Sequence, residues 1–343
     1  MIEIGLTDHL EGPATAPSLE IYKTIAQQTR VADELGFEYA WFAEHHAHAH
    51  LGHLPSPLLL ALHLAGQTKR IHLGTAIICL NLHHPLAVAE QTAVADLLSD
   101  GRMAIGFGSG STPMEFGLFG LAETEEVRRH ARFEAALRLI TAAWRGQVTR
   151  EDGAPVQVEQ HAALPVASPD LVSRSWLAVN SLGSAEIAGR LGFNMLFSHL
   201  RTPADYLDYA RAYRAQGGCG KIAANRPVYV GATNRQAVEE AEPALRILWR
   251  RFHSEGKIPR EAREPDDPRE LCRHPINFIV GDAESVTAQL MDLYRAAPYD
   301  VANLEVRWAG LTDDLIAASM RRLTEEVRPI LNRAPPAAEK SSD

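Results

Sequence analysis

Residues 38–53 read Glu38-Tyr-Ala-Trp-Phe-Ala-Glu-His-His-Ala-His-Ala-His-Leu-Gly-His53. The apolar run Tyr39 to Ala43 has the length and character of a buried strand. It stops at Glu44-His45-His46 and runs into a loop holding His48, His50 and His53. In parallel α/β proteins the side chains just beyond the carboxyl ends of strands line the ligand crevice. Imidazoles in that place fit three readings: a positioned acid, base or hydrogen-bond donor, a metal held by the alternating His46, His48 and His50, or a solvated loop. A metal shell also wants carboxylates at other strand ends. Strands three to eight show no Asp there, so no metal site is predicted.

Outward from this stretch, strand-like runs fall at 2–7, 39–43, 70–80, 102–107, 176–179, 193–197, 227–231, 277–280 and 301–308. Helical periods lie between them. Ile21, Ile25, Ala32 and Leu35 share a face that ends at Gly36, and Pro57 and Pro85 open the next two helices. A long helix from about Thr124 places Val127, Ala131, Leu137, Ile140 and Trp144 on one side. The last one aligns Ile316, Met320, Leu323, Val327 and Ile330. Such alternation predicts eight βα units with insertions at 146–174 and 254–275, hence a (β/α)₈ TIM barrel in one domain over 1–333. A doubly wound sheet is the rival. The tail 334–343 has the composition of disorder.

The chain has 343 residues, 46% apolar and 22% charged, with a net charge of -9. That is ordinary globular composition and argues against a nucleic-acid partner, which wants a basic face. Cys79, Cys219 and Cys272 are odd in number and far apart, so no disulfide framework is expected, and Cys79 reads as core. The start does not read as a signal peptide, nor is any stretch apolar enough for a membrane span. The expectation is a soluble cytoplasmic protein.

Three more stretches invite chemistry. Gly106-Phe-Gly-Ser-Gly-Ser-Thr112 lets backbone approach an anion or a flat ring, or is only a tight turn. Asn180-Ser-Leu-Gly-Ser184 offers a phosphate cradle at a helix start, or else an N-cap at Ser184. Gly74-Thr-Ala-Ile-Ile-Cys-Leu-Asn-Leu-His-His-Pro85 is a strand overrunning into a loop, suited to lie under a planar ligand.

In this order the motifs resemble the bacterial luciferase-like flavin-dependent monooxygenase family. The resemblance rests on Trp41-Phe-Ala-Glu-His-His46, Arg70-Ile-His-Leu-Gly-Thr-Ala76, His84-Pro85, Ala89-Glu-Gln91, Asp100-Gly-Arg102, Gly106 to Gly110, Phe119-Gly120, Asn303 to Trp308 and Glu326 to Leu331. It implies a barrel with reduced FMN at its C-terminal mouth, supplied by an NAD(P)H-dependent flavin reductase. Oxygen would add as a flavin 4a-hydroperoxide and pass to a small, largely apolar organic substrate. His45 matches the functional histidine, and Ala76-Ile77 a non-proline cis peptide beneath the flavin. The cofactor contacts implied are Thr75, Ala76, Ile77, Asn81, Ser109, Asn180, Ser181, Leu182 and Gly183. Trp41, His46, Phe107, His199 and Trp308 would line the substrate pocket, with Phe42 and Phe197 as further walls. Ser109 stands where luciferases carry a phosphate-binding Arg, a loss for which Arg201 or Arg174 would compensate. That departure keeps a deazaflavin-dependent dehydrogenase as the alternative, beside a non-catalytic flavin-binding protein. Family members tend to homodimers through the second and third helices.

Overall fold

The structure, a computed structural model, describes residues 1–110, 112–121, 126–147, 165–273 and 275–333. The tail expected at 334–343 and residues 148–164 of the first insertion lie outside the described residues. Eight strands form a ring: β1 (Glu3–Asp8), β2 (Tyr39–Phe42), β3 (His72–Thr75, resuming as Ile78–Cys79), β4 (Met103–Ala104, resuming as Gly106–Gly108), β5 (Trp176–Val179), β6 (Asn194–Phe197), β7 (Ile222–Val230) and β8 (Val301–Glu305). Each pairs in parallel with the next, and β8 returns to β1 through Glu3↔Val301 and Gly5↔Asn303. The sheet is therefore a closed (β/α)₈ barrel.

Two strand expectations need correction. The run at 277–280 is not a barrel member: Ile279–Gly281 pairs only with Val228–Val230, outside the ring. And β7 begins at Ile222, not Pro227, because Ala223 and Ala224 are small enough to hide a buried strand from an apolar-run reading.

Side chains alternate across each strand, so every second residue faces the barrel axis. At the amino end this inner row is apolar: Tyr39, Trp41, Trp176, Leu196, Ala223 and Val301 form one cluster. Tyr39 stacks on Trp41 at 4.6 Å, and Trp176 meets Trp41 edge-on at 5.4 Å. One layer up, Asn303 donates to Thr7, and Asn225 sits in register with Asn303. At the mouth the row becomes ionisable, with His9 following β1 and Glu305 ending β8.

Outside the ring, helices bury their apolar stripes on the sheet. In Glu126–Trp144 the buried side is Phe133, Leu137, Ile140 and Trp144, whereas Ala131 is exposed. The last helix buries Ile316, Met320, Leu323 and Val327 as expected, but Ile330 is 43% exposed and Leu331 is buried in its place. The cause is a π-helical stretch at Leu323–Val327, whose wider turn shifts the stripe by one residue. In the second insertion Ile258 and Leu271 join Phe252, Phe278 and Trp308 in a separate small core. No helix among the described residues is long and apolar enough to cross a membrane.

Candidate active site

The carboxyl ends of the strands surround a cleft of about 660 Å³. His45 from β2, Ala76 and Ile77 from the break in β3, Asn180 after β5, and His199 after β6 all line it, as does Trp308 beyond β8. The sequence-predicted elements thus meet on one rim. The Ala76–Ile77 peptide is cis. The glycines of β4 serve this bend: a Cβ on Gly106 would strike the Thr75 carbonyl, and one on Gly108 would lie 2.7 Å from the Ile77 side chain.

His45 is held from two sides. Its backbone N–H donates to the Leu54 carbonyl, and its Nδ1 lies 3.4 Å from Glu115 Oε1. Glu115 belongs to the short helix Pro113–Leu118 after β4 and also accepts the His46 backbone N–H at 2.9 Å. Burial pulls the His45 pKa down, and the hydrogen bond to Glu115 only partly opposes this. For Glu115, burial pushes the other way, but its bonds to His45 and the His46 amide prevail and keep the carboxyl below its usual range. His9 stacks on His45 with ring centroids 5.7 Å apart. Glu115 carries no motif of its own, and the sequence reading passed over it.

Several expected contacts lie elsewhere. Trp41 is fully buried in the barrel plug, and Phe107 faces outward against Trp144 and Phe193. Phe42 is buried in the core shared by sheet and helices, whereas Phe197 does line the cleft. His46 turns away: its Nε2 is 3.0 Å from Glu44 Oε1 and its ring packs edge-on against Phe119. Thr75 Oγ1 donates to the Gly106 carbonyl and accepts its N–H, stapling β3 to β4. Asn81 donates to the Ser109 carbonyl, and neither residue lines the cleft. Cys79 does line it, but burial pushes its thiol pKa up, in keeping with a core role.

His46, His48 and His50 do not converge. His48 Nδ1 accepts backbone N–H groups of His50 and Leu51, and His46 joins a different group. Glu44, His46 and His83 place one ligand atom each within 4.8 Å of one another, a spacing that could hold a metal. Both imidazoles already direct Nε2 at Glu44 Oε1, at 3.0 and 2.9 Å, so the group is internally satisfied as a hydrogen-bonded cluster.

At the β5 end, Ser181, not Ser184, is the N-cap of the helix Leu182–Leu191. Ser181 Oγ accepts the Ser184 N–H, while Ser184 Oγ accepts the amides of Asn180 and Ser181. This leaves the first-turn amides of Leu182 and Gly183 without an intrahelical partner, although Ser181, Leu182 and Gly183 stand beyond the cleft lining, which ends on this side at Asn180. Gly183 lies against His130, whose ring would stand 3.3 Å from an added Cβ. Arg201 acts electrostatically on Tyr209, whose hydroxyl donates to the Asn180 carbonyl. Arg174 is placed wrongly to compensate for the missing arginine: it precedes β5, at the opposite end, tied to Asp96 at 3.0 Å and Asp170 at 2.9 Å.

The floor of the cleft holds what the sequence reading missed. Glu305 Oε1 accepts from His199 Nδ1 at 2.9 Å and Asn225 Nδ2 at 2.6 Å, and lies 3.5 Å from His9 Nε2. Burial alone would raise the Glu305 carboxyl, but the two imidazoles outweigh it and hold the group far below the usual range. Burial likewise would lower His9, yet the Glu305 charge prevails and raises it. Strand eight therefore does end in a carboxylate. Val301, Asn303 and Glu305, at spacing two, place this buried acid on the inner row. With Arg251, Glu255 and Lys257 also on its walls, the cleft is more polar than an apolar substrate would suggest.

Comparison with known proteins finds both relatives in sequence and solved structures of similar fold. Relatives in sequence match over 33% to 92% of their own length. The oxygenase component of flavin-dependent trigonelline monooxygenase from Acinetobacter baylyi is 23% identical over 335 residues, 92% of this chain and 91% of that protein. Among solved structures, the oxygenating constituent of 3,6-diketocamphane monooxygenase from Pseudomonas putida, in complex with FMN, superposes with a TM-score of 0.77 at 19% identity, covering 96% of this chain and 98% of that one. The coenzyme F420-dependent tetrahydromethanopterin reductase of Methanopyrus kandleri gives 0.70 at 18%, covering 96% and 99%. These two likenesses speak to fold. The family model of luciferase-like monooxygenases matches residues 4–300, and the chain belongs to that family.

Proposed function

We propose that this protein is the oxygenase half of a two-component system. It takes reduced FMN from a separate NAD(P)H-dependent flavin reductase, and uses it with O2 to oxygenate a small organic substrate in the cytoplasm. The observation that carries the reading is the meeting of His45–Glu115, the Ala76–Ile77 bend and the Asn180 turn around one cleft. A flat ring suits the surface of Ala76 and Ile77, and the unpaired first-turn amides of Leu182 and Gly183 beyond Asn180 suit a phosphate, with Arg201 acting on the neighbouring Tyr209. Bound there, reduced FMN would supply the electron pair by which O2 is activated. His45, kept neutral by burial, turns Nδ1 to Glu115, which fixes its ring, and holds or passes a proton at Nε2. Phe197, Phe252 and Trp308 exclude water from the reacting side.

The test is an anaerobic titration of the cofactor-free protein with reduced FMN, followed by air. Retained flavin, a transient absorbance distinct from oxidised flavin, and an oxygenated product from a substrate panel are expected. Retention of a deazaflavin in preference to FMN, with no reaction toward oxygen, would replace the proposal by a deazaflavin-dependent dehydrogenase. The observation favouring that second reading is that Ser109, at the position of the luciferase arginine, does not line the cleft.

The protein further pairs as a homodimer. The helices Pro57–Ala65 and Pro85–Leu98 leave Leu59, Val94, Leu97 and Leu98 between 41% and 70% exposed, an apolar face suited to a second copy.

A further inference from the structure

The cluster under the cleft has a property that its hydrogen bonds determine. An ionised carboxylate only accepts, so the ring nitrogen that His199 turns to Glu305, Nδ1, carries the proton. In the neutral ring Nε2 is then a bare acceptor. It is buried, without a partner among the described residues, on a side chain that lines the cleft. His199 is 9% exposed, Asn225 7% and Glu305 1%. Asn225 Oδ1 and Glu305 Oε2 are likewise buried and unpartnered. Leaving such atoms unmatched is costly, and their arrangement describes what would match them.

The surrounding charges are spoken for. Arg251 pairs with Glu11, and Arg307 lies 3.6 Å from Asp8 and donates to the Glu11 carbonyl. Glu305 is thus left to the two imidazoles. A carboxylate fixing the far nitrogen of an imidazole, with the near nitrogen facing a ligand, is the arrangement by which a histidine accepts a proton from a hydroxyl while its cation is stabilised from behind.

We propose that the cleft floor is a hydroxyl-binding subsite for a compact ring bearing an acidic O–H, of the phenol or enol class, with His199 as the base and Glu305 and Asn225 as its positioning residues. The substrate O–H bond breaks, its proton passes to His199 Nε2, and the electron pair stays on oxygen. Nothing is oxidised in the step. It leaves an electron-rich ring, the kind of nucleophile that an oxygen-transfer reaction consumes. In taking this cleft as the substrate site, the proposal rests on the reading above.

The test needs no flavin. The cofactor-free protein is titrated with 4-nitrophenol at a pH where the free probe is mostly protonated, and the phenolate absorbance is followed. 4-Nitroanisole serves as the ring without an O–H. Saturable appearance of the phenolate band is expected, with 4-nitroanisole bound at least about tenfold more weakly. In His199→Gln the probe should still bind within a few-fold but lose the phenolate band, and Glu305→Gln should weaken the band. Binding without ionisation, equal affinity for the anisole, or an unchanged band in His199→Gln would overturn the proposal, the first two without recourse to any variant. Displacement of the probe by FMN would also overturn it, since the subsite would then belong to the cofactor. Ionisation of the probe by a protein that binds no flavin would refute only the monooxygenase reading.

Discussion

His45 Nδ1 and Glu115 Oε1 face each other at 3.4 Å across a gap that no local sequence spans, one from the end of β2 and the other from the helix after β4. Burial lowers the His45 pKa from its ordinary 6.5, and Glu115 pulls it part of the way back. Between the folded value and 6.5 the unfolded chain holds more protons on this residue, so its effect on stability becomes more favourable as pH rises through that window. For activity, the neutral imidazole persists below pH 6.5. The acid limb of kcat/KM should therefore lie below 6.5 and move lower still in Glu115→Gln, which removes a raising influence. A limb moving upward would refute the coupling. His45→Ala should cut product formation by about 10²-fold or more, with flavin affinity changed only a few-fold; unchanged turnover would remove His45 from the chemistry.

Trp41 closes the barrel between Tyr39 and Trp176 and does not reach the cleft. Trp41→Ala should cost about 3–5 kcal/mol of stability through the cavity it leaves. Urea denaturation reads the loss. Any remaining folded protein should bind flavin with nearly the original affinity, which a pocket role would not allow.

Glu305 and His9 shift in opposite directions, and the signs give a bell-shaped contribution. The depressed carboxyl adds stability above its unfolded pKa of about 4.5, lost as pH falls through the folded value. The raised imidazole adds stability that is full below 6.5 and lost as pH climbs through its folded value. The pair should stabilise most between those two unfolded values. Glu305→Gln should flatten both limbs and cost about 3–5 kcal/mol near neutral pH, because the buried His9 cation loses its counter-charge. Thermal melts across pH test this; parallel curves for the two proteins would contradict it.

Arg201 acts on Tyr209, whose hydroxyl donates to the Asn180 carbonyl, and is the cation proposed for the phosphate. Arg201→Ala should weaken FMN about tenfold, as expected for one charged contact, and leave riboflavin, which lacks the phosphate, unaffected. An equal loss for both ligands would mean that the side chain does not face the phosphate.

Leu98 is 68% exposed and Leu59 70%. If their helices form the dimer face, Leu59→Arg with Leu98→Arg should convert a dimer into a monomer in sedimentation without lowering the melting temperature of the isolated subunit. A wild-type protein already monomeric at micromolar concentration would dispose of the interface.

The barrel could be read from the chain because its determinants are local and repeated. Apolar runs such as Tyr39 to Ala43, proline at the start of helices at Pro57 and Pro85, and glycine at Gly36 each act within a few residues. The order of motifs likewise placed His45, Ala76–Ile77 and Asn180 at carboxyl ends of strands, and strand ends of a closed barrel share one face. Inward from outward was harder. Phe107 and Thr75 belong to the right strands, but one step along a strand reverses the face; Trp41 faces the axis but sits too deep, at a level fixed only when neighbouring strands pair. Hence Trp41 plugs the barrel while His9 and Glu305, on inner rows two and four residues above Thr7 and Val301, reach the mouth.

What the sequence alone determined was the barrel class, the rim on which chemistry gathers and His45 upon it. Only the tertiary structure decided which carboxylate meets which imidazole: Glu115 with His45, Glu44 with His46 and His83, Glu305 with His9 and His199. Except for Glu44 and His46, which share the loop after β2, those pairs join residues from different βα units, and their strength comes from shared burial, which raises the value of a Coulomb contact and exists only once the barrel has closed.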